Sequence, residues 1–262
     1  MRMMTLALVL LTVWVFATVA PTLQQASGNV SIPILISTRI EWGLIAAPTV
    51  LAISYLLLRW NRLGLRWPAR PSAFVLGWPM LACVVVMAVV SVQAGLPPAQ
   101  ALGLIAFNTF FVGISEELMF RGFLFRGLIE RLSFWITFWL SSLMFGMVHT
   151  LNGFITGDFN AAIIQAGSAF LSAIFFLAVR LRTASLYPGI LLHWTWDLAV
   201  ITLGLSLAAN ASEPASTSFA TKGIGAVLLS APFALYGLFL MRKGRASCPE
   251  WAEPRAGSSA TS

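Results

Sequence analysis

The sequence of 262 residues is 58% hydrophobic and only 10% charged, and its formal net charge is +7. A soluble domain carries about 25% charged residues to cover its surface, so a soluble single domain, a disordered chain and a fibrous protein are excluded. The mean hydropathy of +0.86 is typical of a polytopic membrane protein. The positive charge does not indicate nucleic acid, because the arginines lie at the ends of apolar runs, where anionic lipid headgroups and membrane topology account for them.

Apolar stretches of about 20 residues are long enough to cross a bilayer as helices. The chain holds eight of them, which predicts an all-α fold, a polytopic bundle of about eight transmembrane helices. The first stretch also resembles a signal peptide, but its length and the Pro21 beyond it favour a retained helix. The predicted spans are Met4–Ala20, Trp42–Leu58, Ala73–Ala94, Ala99–Phe120 with its continuation, Phe134–Thr150, Phe159–Val179, Ser185–Leu207 and Gly223–Met241.

Basic residues alternate between the two sides of this predicted bundle. The loops after the second, fourth, sixth and eighth spans are rich in arginine, whereas the loops between them carry few charges. Because cytoplasmic loops carry an excess of Lys and Arg, both termini are predicted to be cytoplasmic. The membrane itself is expected to be a bacterial inner (plasma) membrane. The basic positions are Arg59, Arg62, Arg66, Arg70, Arg126, Arg131, Arg180, Arg182, Arg242, Lys243 and Arg245.

The fourth predicted span is too long for a simple crossing. From Ala99 to Arg131 a helix would extend about 48 Å, at about 1.5 Å per residue, against a hydrocarbon core of about 30 Å. The second half of the segment is amphipathic and charged. We therefore expect a kinked or strongly tilted helix that continues into the cytoplasmic interface, or a break near Gly113.

Ionisable residues inside membrane segments are costly and usually mark function. Three of the predicted spans contain them, and both histidines of the chain are included. The alternative is that helix neighbours satisfy each polar group, which then only holds the bundle together. The residues are Glu116, Glu117, Arg121, His149, His193 and Asp197.

Spacing assigns different roles to the two adjacent glutamates. Glu117 and Arg121 are four residues apart on one helix face, so they can pair and give structural support. Glu116 is rotated by about 100° from Glu117 and is left without its own cation. A desolvated carboxylate of this kind is suited to act as a general base.

The histidines fit one site with Glu116. His193 and Asp197 share a helix face, so that either both project into the site or Asp197 orients the His193 ring. At about 1.5 Å per residue from the cytoplasmic ends, Glu116 and His149 lie at about 22 Å, and His193 and Asp197 at about 12–18 Å. Three helices thus place their polar groups at overlapping depth.

Two mechanisms follow from a carboxylate and two imidazoles at one depth. Glu116, His149 and His193 can hold a Zn²⁺ ion with a water in the open position. Alternatively, Glu116 and His149 activate water directly, while His193 and Asp197 stabilise the oxyanion. Both lead to hydrolysis of a peptide bond close to the membrane. The sequence contains no H-E-x-x-H motif, and the spacing does not separate the two mechanisms.

The same residues resemble the motifs of a known protease family, the CPBP (CAAX protease and bacteriocin-processing, or Abi) intramembrane proteases. The segment EELMFR at 116–121 is similar to the EExxxR motif, FGMVH at 145–149 to FxxxH, and HWTWD at 193–197 to Hxxx(N/D). The resemblance implies an all-helical fold of about eight spans and an endopeptidase related to the CAAX prenyl endopeptidase. It implies peptide maturation, CAAX-type processing, or bacteriocin processing and immunity as the setting.

The resemblance also implies roles for individual residues. Those matching Glu116 and His149 activate water in the family, and those matching His193 and Asp197 stabilise the oxyanion. The prenyl endopeptidases carry Asn at the last position, and an ionised Asp cannot donate a hydrogen bond to an oxyanion. Asp197 is therefore either protonated or orients His193. Membrane lipid and a peptide or protein substrate, lipidated or not, are the implied partners.

This resemblance divides the chain into four parts. Residues 1–98 comprise helices 1–3 with a basic cytoplasmic loop, and 99–207 form the catalytic core of helices 4–7. Residues 208–241 hold the last transmembrane helix. The part from 242 to 262 contains Ala, Ser, Gly and Pro and is predicted to be a disordered cytoplasmic tail.

Two other functions stay open at this point. A rhomboid-like serine protease is suggested by the G-x-S sequence ending at Ser115, with His193 as its partner. A proton-coupled transporter or a non-proteolytic scaffold is the other alternative, because buried Glu and His residues also serve proton relays.

Overall fold

A computed structural model of the protein describes residues 2–25, 30–210 and 219–251, and every regular element within them is a helix. The α-helices are α1 (Arg2–Gln25), α2 (Ile32–Thr38), α3 (Trp42–Leu58), α4 (Trp78–Ala94), α5 (Ala99–Glu116), α6 (Phe125–Leu128), α7 (Phe134–Val148), α8 (Asn152–Thr156), α9 (Phe159–Thr183), α10 (Tyr187–Ala209) and α11 (Phe219–Leu240). Short 3₁₀ helices cover Pro71–Gly77, His149–Leu151 and Gly244–Ser247, and a π-helix covers Glu117–Leu124.

The membrane-spanning helices confirm an all-α polytopic bundle. Six helices in the described part of the chain are long and apolar enough to cross a bilayer. A seventh span results if α2 and α3 are taken together, although they meet at a bend of 85°. The eighth predicted span corresponds to α11, whose apolar part, Gly225–Leu240, is shorter than the six. The protein is therefore an integral, multi-pass membrane protein.

Local sequence signals set several helix ends. Ser133 and Asp158 cap α7 and α9 by accepting backbone N–H groups of the first turn. Pro79 and Pro188 lie in the first turns of α4 and α10, where a missing N–H costs nothing. Gly157 ends α8 with a φ of 74°, a left-handed conformation that glycine adopts without strain.

The four arginine-rich loops meet at one end of the bundle, which we call the basic end. Arg180 at the end of α9 donates from Nη2 to the carbonyl of Arg62 at 3.1 Å. Arg66 donates to the carbonyl of Ala184 at 3.1 Å. The Arg126 guanidinium lies 5.9 Å from the centre of the Trp251 ring. The loops predicted to share a side are therefore in mutual contact, while the cytoplasmic orientation of that side stays a prediction.

The C-terminal segment corrects one expectation. Residues 242–262 were predicted to be disordered, but 244–251 fold onto the basic end. Glu250 forms ion pairs with Arg180 at 2.8 Å and with Arg66 at 3.2 Å, and Cys248 and Trp251 are buried. The prediction is wrong for this segment because long-range pairing and burial of Trp251 order it, which composition does not reveal. Residues 252–262 lie outside the described residues.

The long fourth span is continuous and carries a π-helix. Ala99–Leu128 forms one span of 30 residues, in which the π-helix begins directly after Glu116. The alternative of a break near Gly113 is wrong, because α5 continues through it. A Cβ at Gly113 would lie 3.2 Å from the Ile190 carbonyl oxygen and the Trp194 nitrogen, so this glycine lets α5 and α10 pack closely.

Candidate active site

His193 lies at the centre of a buried cluster of carboxylates. Its Nδ1 is 3.0 Å from Oε1 of Glu117, and its Nε2 is 3.5 Å from Oε2 of Glu116 and 3.5 Å from Oδ2 of Asp197. The imidazole also stacks on the Phe176 ring, with centroids 4.9 Å apart. One hydrogen bond and one stacking contact therefore fix the ring, while Nε2 faces two further carboxyl groups.

The predicted pair of Glu117 and Arg121 is present, but Glu117 has a second partner. Arg121 Nη1 lies 3.4 Å from Glu117 Oε1, and both side chains are almost completely buried. The same carboxylate oxygen contacts His193. The sequence predicted structural support for Glu117 and left open whether Asp197 orients the His193 ring, whereas the closest contact to the ring comes from Glu117.

This arrangement depends on the π-helix and on close helix approach. The π-helix places Glu117, Arg121 and the residues between them in the core of the bundle, where all are buried. Such helices are rare and occur frequently at functional sites. A Cβ at Gly189 would lie 2.9 Å from Glu117 Oε2, so the glycine leaves room for the carboxylate beside α10.

His149 enters from a third element, the 3₁₀ turn between α7 and α8. Its Nδ1 is 2.8 Å from the carbonyl oxygen of Phe145. A carbonyl oxygen only accepts, so Nδ1 carries the hydrogen and, in the neutral ring, Nε2 holds the free lone pair. This is the tautomer that a proton acceptor requires.

Glu116, His149, His193 and Asp197 all line one cavity of about 760 Å³. The remaining wall is mostly apolar and comes from α1, α2, α3, α5, α7, α8, α9, α10 and α11. The spans predicted to converge thus do so around a shared space. The catalytic roles of the four residues stay predictions.

Phe145 and Phe176 also belong to the site, although the sequence analysis gave them no role. The Arg121 guanidinium carbon lies 4.0 Å from the Phe145 ring centre and 5.4 Å from that of Phe176. Both rings also pack against His193, Phe176 stacked on the imidazole and Phe145 in a T-shaped contact with it. Phe145 belongs to the FxxxH motif and its spacing gave a signal, whereas Phe176 is one of many aromatic residues in an apolar helix.

The zinc alternative finds little support in the geometry. Among residues 2–25, 30–210 and 219–251, no three His, Cys, Asp or Glu side chains are arranged so that they could hold a metal ion. In His193, Nδ1 is bonded to Glu117, and in His149, Nδ1 is bonded to a carbonyl group. These contacts leave Nε2 of each ring available, which is also how zinc-bound histidines are held, so the zinc alternative stays a prediction.

Ser115 lies against a different neighbour. Its Oγ accepts a hydrogen bond of 2.6 Å from the indole of Trp14, and the residue is 2% exposed. This contact turns the hydroxyl towards α1. A serine protease requires a hydroxyl that contacts both the substrate and a histidine, whereas the Ser115 hydroxyl is bonded to Trp14. The geometry therefore gives no support to the serine-protease alternative.

The fold and the site define a class, a polytopic helix bundle with a Glu/His cluster on a cavity between its spans. Residues 98–199 match the family model described as type II CAAX prenyl endopeptidase Rce1-like. All three motifs lie within this segment, and the match confirms the resemblance drawn from them. It supports a CAAX-type intramembrane protease, a hydrolase, in general. No curated protein matches the sequence.

Proposed function

We propose that this protein is an intramembrane endopeptidase that hydrolyses a peptide bond with a water activated by Glu116 and His149. The observation that carries the proposal is the shared cavity, which has a carboxylate, both imidazoles and an aspartate of three separate spans on its wall. The apolar remainder of the wall suits a peptide that reaches the site from the lipid phase. Helices can pack in a membrane without ionisable side chains, and burying such side chains is costly, so a cluster of this kind indicates a function.

The water activation uses the hydrogen-bonding states derived above. A water between the two residues donates one hydrogen to the Glu116 carboxylate and the other to Nε2 of His149. As its oxygen bonds to the peptide carbonyl carbon, Glu116 takes the proton. Glu116 then delivers that proton to the departing amine as the C–N bond breaks, which restores the carboxylate.

His193 stabilises the negative charge that develops on the carbonyl oxygen. Its Nδ1 is anchored by Glu117, and its Nε2 faces the side of the cavity where Glu116 lies. As an imidazolium the ring donates from both nitrogens, and a pre-oriented donor is worth about 3–4 kcal/mol in a transition state. Asp197 lies 3.5 Å from Nε2 of the same ring.

A comparison of Glu116→Gln with Ser115→Ala tests the proposal. Full-length protein in liposomes is assayed for cleavage of a mixture of fluorogenic apolar peptides, and its metal content is determined. We expect Glu116→Gln to lose activity at least about 100-fold, because a general base is removed, whereas Ser115→Ala keeps most of it. We also expect activity without stoichiometric metal.

The control variant is Glu130→Gln, which removes a carboxylate from the basic end, where it pairs with Arg126 at 3.1 Å. It should cleave like the wild type. Full activity of Glu116→Gln contradicts the assignment of the base, and inactive Ser115→Ala favours a serine enzyme. Proton-dependent flux without peptide cleavage favours a transporter.

A further inference from the structure

Another concave space lies at the basic end, away from the cavity of the proposed reaction. It has a volume of about 400 Å³ and is enclosed by the end of α3, the loop that follows α3 and the C-terminal segment. This volume is within the usual range of small-molecule sites, about 300–1,000 Å³. We call this space the loop pocket, and its lining residues are Tyr55, residues 60–66, Pro249 and Glu250.

Positive charge predominates around the loop pocket. Residues 59–70 contain four arginines and no acidic residue. Of these, Arg62 and Arg66 line the pocket and are exposed. Glu250 also lines it, but this carboxylate is shared by Arg66 at 3.2 Å and Arg180 at 2.8 Å. Arg62 forms no ion pair with any carboxylate of the described residues. The three arginines therefore exceed the carboxylate by two charges.

Arg180 contributes a buried cation to the wall of this pocket. Its guanidinium lies directly behind Gly64, because a Cβ at Gly64 would overlap with it. Nη2 is bonded to Glu250 and to the carbonyl of Arg62, but Nε and Nη1 are buried and have no hydrogen-bond partner among the described residues. Salt and water screen a buried charge less than an exposed one, so this wall attracts an anion.

The loop that carries the arginines is fixed to the start of α10. The carbonyl of Gly64 accepts the N–H of Leu186 at 2.9 Å, and the carbonyl of Arg66 accepts the Ser185 hydroxyl at 2.6 Å. Arg62 has a φ of 59°, a left-handed conformation that residues other than glycine rarely adopt and that occurs often at functional sites. A loop held in this way binds a ligand without a large loss of conformational entropy.

The surroundings of the loop pocket favour a lipid over a soluble anion. Leu56 and Leu57, next to the pocket residue Tyr55 on α3, are 70% and 77% exposed, as expected of side chains that contact acyl chains. Trp67 is 73% exposed and packs on Tyr187 with ring centroids 4.8 Å apart. Exposed Trp and Tyr side chains mark the level of the lipid headgroups. The pocket therefore lies between an apolar helix face and the aqueous phase.

We propose that the loop pocket binds the phosphate headgroup of an anionic phospholipid in the leaflet at the basic end. The guanidinium groups of Arg62 and Arg66 donate to the phosphate oxygens, and the acyl chains extend along the exposed face of α3. A zwitterionic lipid carries a compensating cation and gains less from this excess of arginine. The site is separate from the cavity of the proposed reaction, so it does not depend on the endopeptidase function.

Thermal unfolding of the full-length protein in neutral detergent micelles tests this site. Phosphatidylglycerol is titrated into the micelles, and phosphatidylcholine with the same acyl chains and inorganic phosphate are titrated separately. We expect phosphatidylglycerol at about tenfold its dissociation constant to raise the unfolding temperature by about 3–6 °C, because a ligand that binds only the folded state stabilises it. The other two should change it by less than about 1 °C.

Two variants locate the binding. Arg62→Gln should weaken phosphatidylglycerol binding about fivefold, the effect of one basic residue near an anionic membrane surface. Arg131→Gln removes the same charge from an exposed position at the basic end outside the loop pocket, and should leave binding within about twofold. Each variant is compared with its own unfolding temperature without lipid, which separates binding from folding.

Several outcomes would overturn the inference. Equal shifts with phosphatidylcholine would mean that any lipid stabilises the protein, and an equal shift with inorganic phosphate would mean that the pocket binds a free anion. No shift with phosphatidylglycerol excludes the site. Equal weakening in Arg62→Gln and Arg131→Gln would show a general attraction to positive charge, without a defined pocket.

Discussion

Two buried ion clusters occupy opposite halves of this molecule and differ in what surrounds them. At the basic end, Glu250 lies between Arg180 and Arg66, and the C-terminal segment covers the cluster with Trp251. In the other half, His193 lies among three carboxylates on the wall of a cavity of about 760 Å³. The first cluster joins loops together, and the second has reactive groups facing open space.

The surroundings of the two clusters indicate that the charges at the basic end stabilise the fold, whereas those at the cavity serve the proposed reaction. Breaking either cluster leaves buried charges unpaired and destabilises the fold. The basic-end cluster also borders a space, of about 400 Å³, but its carboxylate Glu250 is paired with two arginines. In the cavity cluster, by contrast, Glu116 Oε2 has no hydrogen-bond partner, and Glu116 lines a ligand-sized space. The comparison therefore predicts losses of activity from one cluster and losses of stability alone from the other.

The largest expected effect concerns Glu117. Glu117→Leu should lower stability by about 3–5 kcal/mol, since Arg121 is left buried without its carboxylate, and should lower cleavage at least about 100-fold. Adding Arg121→Met should restore much of the stability, because an apolar pair can replace a buried ion pair. Activity should stay low, because His193 has lost its anchor. Thermal unfolding in detergent and cleavage rates measure both, and recovery of activity in the double variant would show that the pair is structural only.

A smaller effect is expected from the glycine beside the cluster. Gly189→Ala places a methyl group within contact of Glu117 Oε2, and the displaced carboxylate should reduce kcat by about 10- to 100-fold. Gly204→Ala on the same helix has open space around its new Cβ and is the matched control. Equal rates for the two variants would mean that the position of Glu117 does not govern catalysis.

A substitution at the basic end should lower stability and leave activity nearly unchanged. Glu250→Gln leaves Arg180, which is 2% exposed, with a weaker partner, and we expect a loss of about 1–3 kcal/mol in the free energy of unfolding. Cleavage should stay within about twofold of the wild type, because the cavity wall is unchanged. A large loss of activity at unchanged thermal stability would show that the two halves are coupled.

The smallest effect is on the reactivity of Cys248. Burial raises the pKa of its thiol to about 12, outweighing the lowering by Arg182, Arg180 and Arg245, so the thiol stays protonated at pH 8. In a Cys83→Ser background, alkylation followed by mass spectrometry should be slow for the wild-type tail and faster in Glu250→Gln. Rapid alkylation of the wild-type tail would indicate that residues 244–251 do not remain packed.

The spans and the polar groups at matched depth could be predicted because hydropathy and 3.6-residue spacing are local properties. Arginine alternation likewise anticipated which loops meet at one end. The contact between Glu117 and His193 could not be predicted, because the sequence was interpreted as a regular α-helix. In such a helix Glu116 and Glu117 point in different directions, and nothing in the sequence indicates that a π-helix begins at Glu117. The 85° bend between α2 and α3 and the docking of Glu250 depend on contacts between distant parts of the chain. Hydropathy and composition do not encode such contacts.

A double-mutant cycle between Glu116 and His149 tests most directly whether both act on the same water. Cleavage rates are measured for Glu116→Gln, His149→Ala and the double variant in liposomes, with thermal unfolding as the check on folding. Residues that act as one unit are strongly non-additive, so the double variant should be about as slow as the slower single variant. Losses that multiply in the double variant would show that the two residues act independently, and would contradict a shared water in this cavity.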